Sequence, residues 1–329
     1  MSQSSTATET APRSRAPIYL AIAVLAGLAM PIQSRINGAL GLHLGDPIAA
    51  SLVSFCTGLI LLIIISLLVP WARAGAREIP RALREKRFPW WYLAAGCVGA
   101  SVVISQTYTV PLLGVALFTV SIVTGQTLGS MLVDSIGFGP GGRRRISPLR
   151  AIGALLTIVG VIWAVSPRLA TTGSISALLL PTIIPLVVGF LMGFQSAANG
   201  VQARAYGTPV AATLMNFGVG AIMLVIILLV RMPSVGLPHA LPTQWWYYLG
   251  GPLGCIFIGL AAFLVRHLGV LLTGLGMICG QLVGSLLIDM VVPAPGAVVN
   301  GATVAGTILT LAAVALTSVA GGRTRTRRN

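Results

Sequence analysis

Two sets of polar side chains stand out in a sequence that is otherwise almost uncharged. Gln33 and Asn37 lie four residues apart, the spacing that puts two side chains on one face of a helix, and Gln195 and Asn199 repeat the pair. Gln126, Ser130 and Asp134 are spaced i, i+4, i+8 and recur as Gln281, Ser285 and Asp289, so each set draws a polar stripe along one helix. Amides on apolar helices either bond to neighbouring helices and fix packing or line a substrate path, and the sequence leaves both open. A carboxylate ending such a stripe could bind a proton and a cationic solute in turn, which couples two flows. It could also sit at headgroup level with a structural role, since Asp134 comes at the end of its segment and Gly137 follows. The other acids, Glu9, Asp46, Glu78 and Glu85, fall in tails or loops.

Other chemistry is poorly supplied. His43, His239 and His267 are solitary and read as loop residues, so neither a metal cluster nor a catalytic dyad is expected. Cys56, Cys97, Cys255 and Cys279 are scattered in apolar stretches without CxxC spacing and read as buried free thiols. There is no GxxxxGK[ST] run for a nucleotide phosphate. No cofactor or metal is called for, and a membrane-embedded enzyme is disfavoured by the shortage of paired catalytic groups.

The elements that must position these residues are set by composition. Charged residues are 8% of 329, against about 25% in ordinary soluble domains, while hydrophobic residues are 56% and mean hydropathy is +0.93. The chain divides into apolar stretches of about 20 residues, the length a helix needs to cross roughly 30 Å of hydrocarbon. An all-α polytopic membrane protein is the fold class this implies. An excess of 21 Arg and Lys over 6 acids could suggest nucleic acid in a soluble protein. Here the positions of the charges match the enrichment of Arg and Lys in cytoplasmic loops, and nucleic acid is not a partner.

The chain is also duplicated. Met30–Gly58 and Met192–Gly220, 162 positions apart, agree at 12 of 29 positions without a gap, including Gln33/Gln195, Asn37/Asn199, Gly45/Gly207, Pro47/Pro209 and Phe55/Phe217. A second pair of blocks, Trp90–Asp134 and Trp245–Asp289, is 155 apart and shares both tryptophans, the following tyrosine, Gly114/Gly269, Gln126/Gln281, Ser130/Ser285 and Asp134/Asp289. One connecting loop is therefore seven residues shorter in the second copy.

Residues 1–16 read as a short disordered tail without the apolar core of a signal peptide. The first repeat spans 17–165. Its first segment carries Pro31, which should bend or break the helix, and its third and fourth meet at a tight turn around Pro111. A connector, 166–177, leads to the second repeat, 178–320, and a basic tail, 321–329, follows. Ten segments with both ends cytoplasmic put 18 of the 21 basic residues on one side and leave Arg35, Arg168 and Arg231 on the other. The basic cytoplasmic loops would face anionic lipid headgroups. Five helices per copy is an odd number, so the second copy enters the membrane facing the opposite way. Ten transmembrane helices as two inverted five-helix repeats is a plan that suits alternating access.

Three motifs now occur twice: Gln-Ser-x-x-Asn-Gly from Gln33 and Gln195, Gly-x-Pro-x-Ala-Ala from Gly45 and Gly207, and Gly-Gln-x-x-Gly-Ser-x-x-x-Asp from Gly125 and Gly280. With the ten-segment plan they give a chain that resembles the drug/metabolite transporter superfamily and is similar to its YdcZ-like branch of bacterial inner-membrane proteins, over residues 17–320. The resemblance implies a secondary transporter of small molecules in the cytoplasmic membrane, working as an exporter. Small multidrug exporters of that superfamily carry a glutamate in their first helix; this chain has no acid in its first or sixth, a departure from the proton/cation antiport pattern. Gln33, Asn37, Gln126, Ser130, Gln195, Asn199, Gln281 and Ser285 are the expected path residues, with Asp134 and Asp289 as coupling candidates. An uncharged path favours a neutral or zwitterionic metabolite. The competing expectation is a non-transporting scaffold or accessory subunit, and monomer and homodimer both remain open.

Overall fold

The computed structural model describes residues 16–138, 142–143, 146–172 and 175–326. The expected N-terminal tail, up to residue 15, and the last three residues of the basic tail lie outside the described residues. Ten α-helices follow in order: α1 Ala16–Gly27, α2 Ala29–Leu44, α3 Pro47–Leu68, α4 Pro70–Arg84, α5 Ala95–Ile136, α6 Pro148–Thr172, α7 Ile175–Tyr206, α8 Pro209–Val235, α9 Gly250–Val291 and α10 Gly301–Thr326. No strand occurs among the described residues. Among the described residues, eight helical stretches are long and apolar enough to cross a membrane.

The duplicated Gly-x-Pro motif is a two-part cap. Gly45 takes φ 64° and closes α2; Asp46 then accepts hydrogen bonds from the amides of Ile48 at 2.7 Å and Ala49 at 3.2 Å, with Pro47 at the first helical position of α3. The second copy does the same with Gly207 at φ 78°, Thr208 bonded to the amides of Val210 and Ala211, and Pro209. Asp46, expected in a loop, is thus a buried cap that also meets Arg231 of α8 at 3.3 Å.

The first segment is interrupted, as Pro31 led one to expect, between α1 and α2 at Leu28. Leu28 keeps a helical φ −63° and ψ −24° and follows Gly27, whose carbonyl, four residues before the proline, is crowded by the proline ring, so the interruption is local within one continuous stretch. The α5 helix, 42 residues long, is far too long for one straight crossing. Its break is at Gly114 (φ 84°, ψ 170°), three residues beyond Pro111, and divides it into arms Ala95–Leu113 and Val115–Ile136 of about 20 residues each. Proline fits a helical φ, whereas only glycine enters this region without strain, so the glycine and not the proline fixes the break. Gly269 (φ 77°, ψ 167°) breaks α9 at the equivalent place.

Helices meet at glycines. A Cβ on Gly125 would run into the carbonyl oxygen of Leu186 on α7, and one on Gly280 into that of Val24 on α1. Leu186 and Val24 are themselves 162 positions apart, so the seams α5–α7 and α1–α9 are the same contact made twice. The α3–α8 seam is reciprocal: Gly58 receives the ring of Phe217, Gly220 receives that of Phe55, and the two rings lie 4.8 Å apart. Gly160 and Gly306 face each other where α6 crosses α10. The most enclosed element is the second arm of α5, where Val115, Leu117, Phe118, Val120 and Val123 are all at most 1% exposed.

The connection between α3 and the aromatic pair Trp90–Trp91 is α4, amphipathic and basic. Ala72, Gly75, Ile79 and Ala82 pack inward against Tyr206 and Thr208 at the α7–α8 turn, while Arg73, Arg77, Arg81 and Arg84 face out. Hydrogen bonds from Arg81 and Arg87 hold the Glu85 carboxyl below the usual carboxylate range. These pairs are exposed and add little to stability. Trp90, Trp91, Trp245 and Trp246 are exposed just before the two long helices α5 and α9, as interface anchors should be.

The seam glycines give the first prediction. Gly125→Leu and Gly280→Leu should each destabilise the protein by roughly 1–3 kcal/mol or more, because the backbones must separate. Gly218→Ala, at a helical site with nothing within 4 Å, should be neutral or gain up to about 1 kcal/mol. Thermal unfolding in detergent separates the two outcomes, and equal shifts for all three would refute close backbone approach.

Candidate functional site

The first amide pair lies where α2, the first arm of α5 and the start of α9 converge. Asn37 donates through Nδ2 to Oε1 of Gln106 at 2.7 Å, and both residues are fully buried. Gln106 Nε2 points at the Met30 sulfur, 3.8 Å away, a weak acceptor. The other Asn37 atom, Oδ1, and Ser54 Oγ both lie against Gly250 and have no hydrogen-bond partner. Gln33, 6% exposed, lies over Gly254 of α9.

The second pair is built on α7 and bonded through α8. Asn216 donates through Nδ2 to Asn199 Oδ1 at 3.1 Å and accepts from Gln195 Nε2 at 3.4 Å. Gly99, on the first arm of α5, receives the Asn216 and Gln195 amides. The clusters correspond: Gln33 meets Gly254 as Gln195 meets Gly99, so each amide pair reaches into the other copy's long helix. They differ in their third member for a simple reason. Asn216 is long enough to bond Asn199, whereas its equivalent Ser54 is too short, and Asn37 turns instead to Gln106, whose own equivalent is Ala261.

Gln106 and Asn216 were not singled out by sequence because duplication was the filter and neither is duplicated. A glutamine or asparagine inside an apolar span was itself the available signal. The stripes lie elsewhere, on the second arms of α5 and α9, and among the described residues no hydrogen bond joins them to the amide clusters. Gln281 and Ser285 are 5% and 0% exposed, and Ser285 Oγ donates to Leu282 O at 2.8 Å; Gln126 and Ser130 are half-buried.

The two carboxylates have different partners. Asp289, 5% exposed, accepts from the backbone amides of Val115 at 3.0 Å and Ala116 at 2.7 Å, the first free N–H groups after the Gly114 break. Around it Arg35 donates to the carbonyls of Val292 and Pro293, and Arg168 to those of Leu112, Leu113 and Gly296. Gly296 N in turn bonds Pro111 O at 2.9 Å. Asp134 makes an ion pair with Arg150 of α6 at 2.8 Å and keeps a third of its side chain exposed.

The histidines expected in loops are partly helical. His43 is on α2 beside Tyr247, His267 is on α9, and His239 donates its backbone N–H to Leu44 O while its ring nitrogen meets His43 O at 3.1 Å. Among the described residues no three His, Cys, Asp or Glu side chains come together as a metal site would need.

Because Asn37 and Gln106 bond to each other while fully buried, Asn37→Ala and Gln106→Ala should each cost about 1–3 kcal/mol, the penalty of stranding a buried amide. The double variant should cost less than the sum by about 0.5–3 kcal/mol. Chemical unfolding in detergent measures both, and full additivity would show that the bond does not matter.

Comparison with known proteins agrees with this architecture. No curated protein matches the chain by sequence. Six chains of solved structure match it. One crystal structure superposes with a TM-score of 0.58 at 20% identity, covering 94% of this chain and 99% of that one, a likeness that establishes fold alone. A family model described as "Putative inner membrane exporter, YdcZ" matches residues 18–163 and 180–316, which takes in both copies and every residue of the amide clusters and stripes. The chain therefore belongs to the DMT_YdcZ family of drug/metabolite transporters: it is a multi-pass bacterial inner-membrane protein that transports small molecules and is not an enzyme.

Proposed function

We propose that the chain is a ten-span secondary transporter that exports a small neutral or zwitterionic metabolite across the cytoplasmic membrane by alternating access. The observation that carries this reading is the crossing of the amide clusters: Gln33 on Gly254 and Gln195 on Gly99 join each copy to the other at equivalent points. Such contacts let one arrangement be exchanged for its mirror in the other half. Ten spans follow if the breaks at Gly114 and Gly269 turn α5 and α9 into hairpins, since each arm alone is long enough to cross.

Two inverted five-helix repeats, 17–165 and 178–320 joined by 166–177, then put both termini, α4 and 18 basic residues on the cytoplasmic side. Gln33, Asn37, Gln195 and Asn199 are the central path residues, together with Gln106 and Asn216. Gln126, Ser130, Gln281 and Ser285 extend the path toward the two faces, and Asp134 and Asp289 are the coupling candidates. The absence of acid from α1, α2 and α7 favours an uncharged or zwitterionic solute over a lipophilic cation. The arginines of α4 would meet anionic headgroups.

Single cysteines at Asn37, Asn199, Gln126 and Gln281, in a chain whose four native cysteines are replaced, test the path. Labelling of sites in both copies from both faces of the membrane is expected. If all four remain unreactive, the amides serve packing alone and the path assignment fails.

A further inference from the structure

Positions related by the 162- and 155-residue shifts should have matching surroundings in a symmetric molecule. In four places they do not, and all four differ in the same sense. The break at Gly114 is packed, with Asp289 and Ala297 pressing where a Cβ would be, whereas no described atom lies within 4 Å of that point at Gly269. Asp289 is buried against two backbone amides of the other copy; Asp134 is a third exposed and paired within its own copy. Gln281 and Ser285 are buried while Gln126 and Ser130 are half-buried.

The fourth difference is at the starts of α3 and α8. Thr107 Oγ1 donates to Pro47 O at 3.0 Å and lies 3.2 Å from Ser51 Oγ, which stitches α3 to α5. At the equivalent positions Thr213 bonds its own helix at Pro209 O, with no other partner among the described residues, residue 262 is an alanine without a hydroxyl, and Pro209 and Thr213 line a cavity of about 270 Å³ between α3, α8 and α9.

We infer that this structure is closed at the Gly114 face and looser at the α4 face, and that Asp289 is the latch that holds the closed face shut. The inference rests on the transport reading above, where the Gly114 face is the outer one. Its physics is local. The Gly114 break frees the N–H groups that begin the second arm of α5, and a carboxylate from α9 satisfies two of them at a helix N-terminus. Arg168 satisfies the carbonyls of Leu112 and Leu113 just before the joint and that of Gly296, and Arg35 those of Val292 and Pro293 just after α9, so α2, α5, α6 and the segment after α9 close as one unit. Removing the carboxylate leaves the two amides to find water, which they can do only by opening the joint. Thr107 is a second tie on the same face, and its hydroxyl has no counterpart at residue 262.

The test needs no substrate, so it separates this inference from the transport reading. Ser285→Cys lies one turn inward from Asp289 on the same helix face, and Ser130→Cys is its counterpart; each is placed alone in the chain free of native cysteines. With a membrane-impermeant thiosulfonate, Ser130→Cys should react readily from the α4 face and Ser285→Cys at least tenfold more slowly from either face, because the closed state dominates at rest. Adding Asp289→Ala should raise the Ser285→Cys rate from the Gly114 face at least tenfold, and Asp134→Ala should not. Asp289→Asn keeps the shape and one acceptor, and should give a smaller rise while guarding against a misfolded alanine variant; gel filtration reports on both. The latch is refuted if neither Asp289 variant changes the rate, or if Ser285→Cys already reacts freely without them. A latch that opens in proteoliposomes that move no solute would instead remove the transport reading and leave the gate.

Discussion

Every bend in a helix that crosses hydrocarbon exposes backbone groups that have no water to turn to, and much of this structure is organised around meeting that demand. The break at Gly114 is the sharpest case. It strands the amides of Val115 and Ala116 and the carbonyls of Pro111, Leu112 and Leu113, and each is met from a different element: Asp289 on α9, the Gly296 amide, and Arg168 on α6. A joint satisfied by three neighbours ties those neighbours to each other. The helix could have been straight only by leaving the membrane, so the break and its bonds come as a package.

The same economy explains the glycines. Where two backbones must approach closely, as at Gly125 on Leu186 and Gly280 on Val24, any side chain would be in the way, and no hydrophobic force draws helices together inside lipid. Close packing is what remains. Because the sequence is duplicated, a packing solution found once is used twice, and the reciprocal insertion of Phe217 at Gly58 and Phe55 at Gly220 binds the two copies across a shared seam.

Much of this was legible from types and spacing. Apolar runs gave the helices, and the repeated Gly-x-Pro gave the joints before α3 and α8. The stripes ending in Asp134 and Asp289 were visible as i, i+4, i+8 patterns. What could not be read was partnership across the fold. Asp289 looked like its twin Asp134, yet one caps a helix from the other copy and the other pairs with Arg150 a few turns away. Gln106 and Asn216 escaped notice because each serves one copy only, where a shorter residue at the matching site changed the bonding. The break expected at Pro111 falls at Gly114, since a proline is compatible with helix geometry and a positive φ is not.

Differences between equivalent positions carry the information that the duplication itself cannot. A transporter that alternates needs two states within a few kcal/mol of each other, because a ligand shifts an equilibrium only by its differential affinity, about 5.5 kcal/mol for a change from 1:99 to 99:1. Bonds from a charged group to backbone amides are worth about 1.5–3 kcal/mol each, so a face closed by several of them would be closed permanently unless the other face offered comparable bonds in exchange. The Asp134–Arg150 pair and Gly269, around which no described atom lies within 4 Å of a Cβ, lie at the place where those bonds would form. On the proposed inverted topology, duplication supplies the same residue types to both faces, and so brings the two sets of bonds close to balance. Thr107 against Ala262, a tie present on one face and missing from the other, is then one of the residues that set which face is closed at rest.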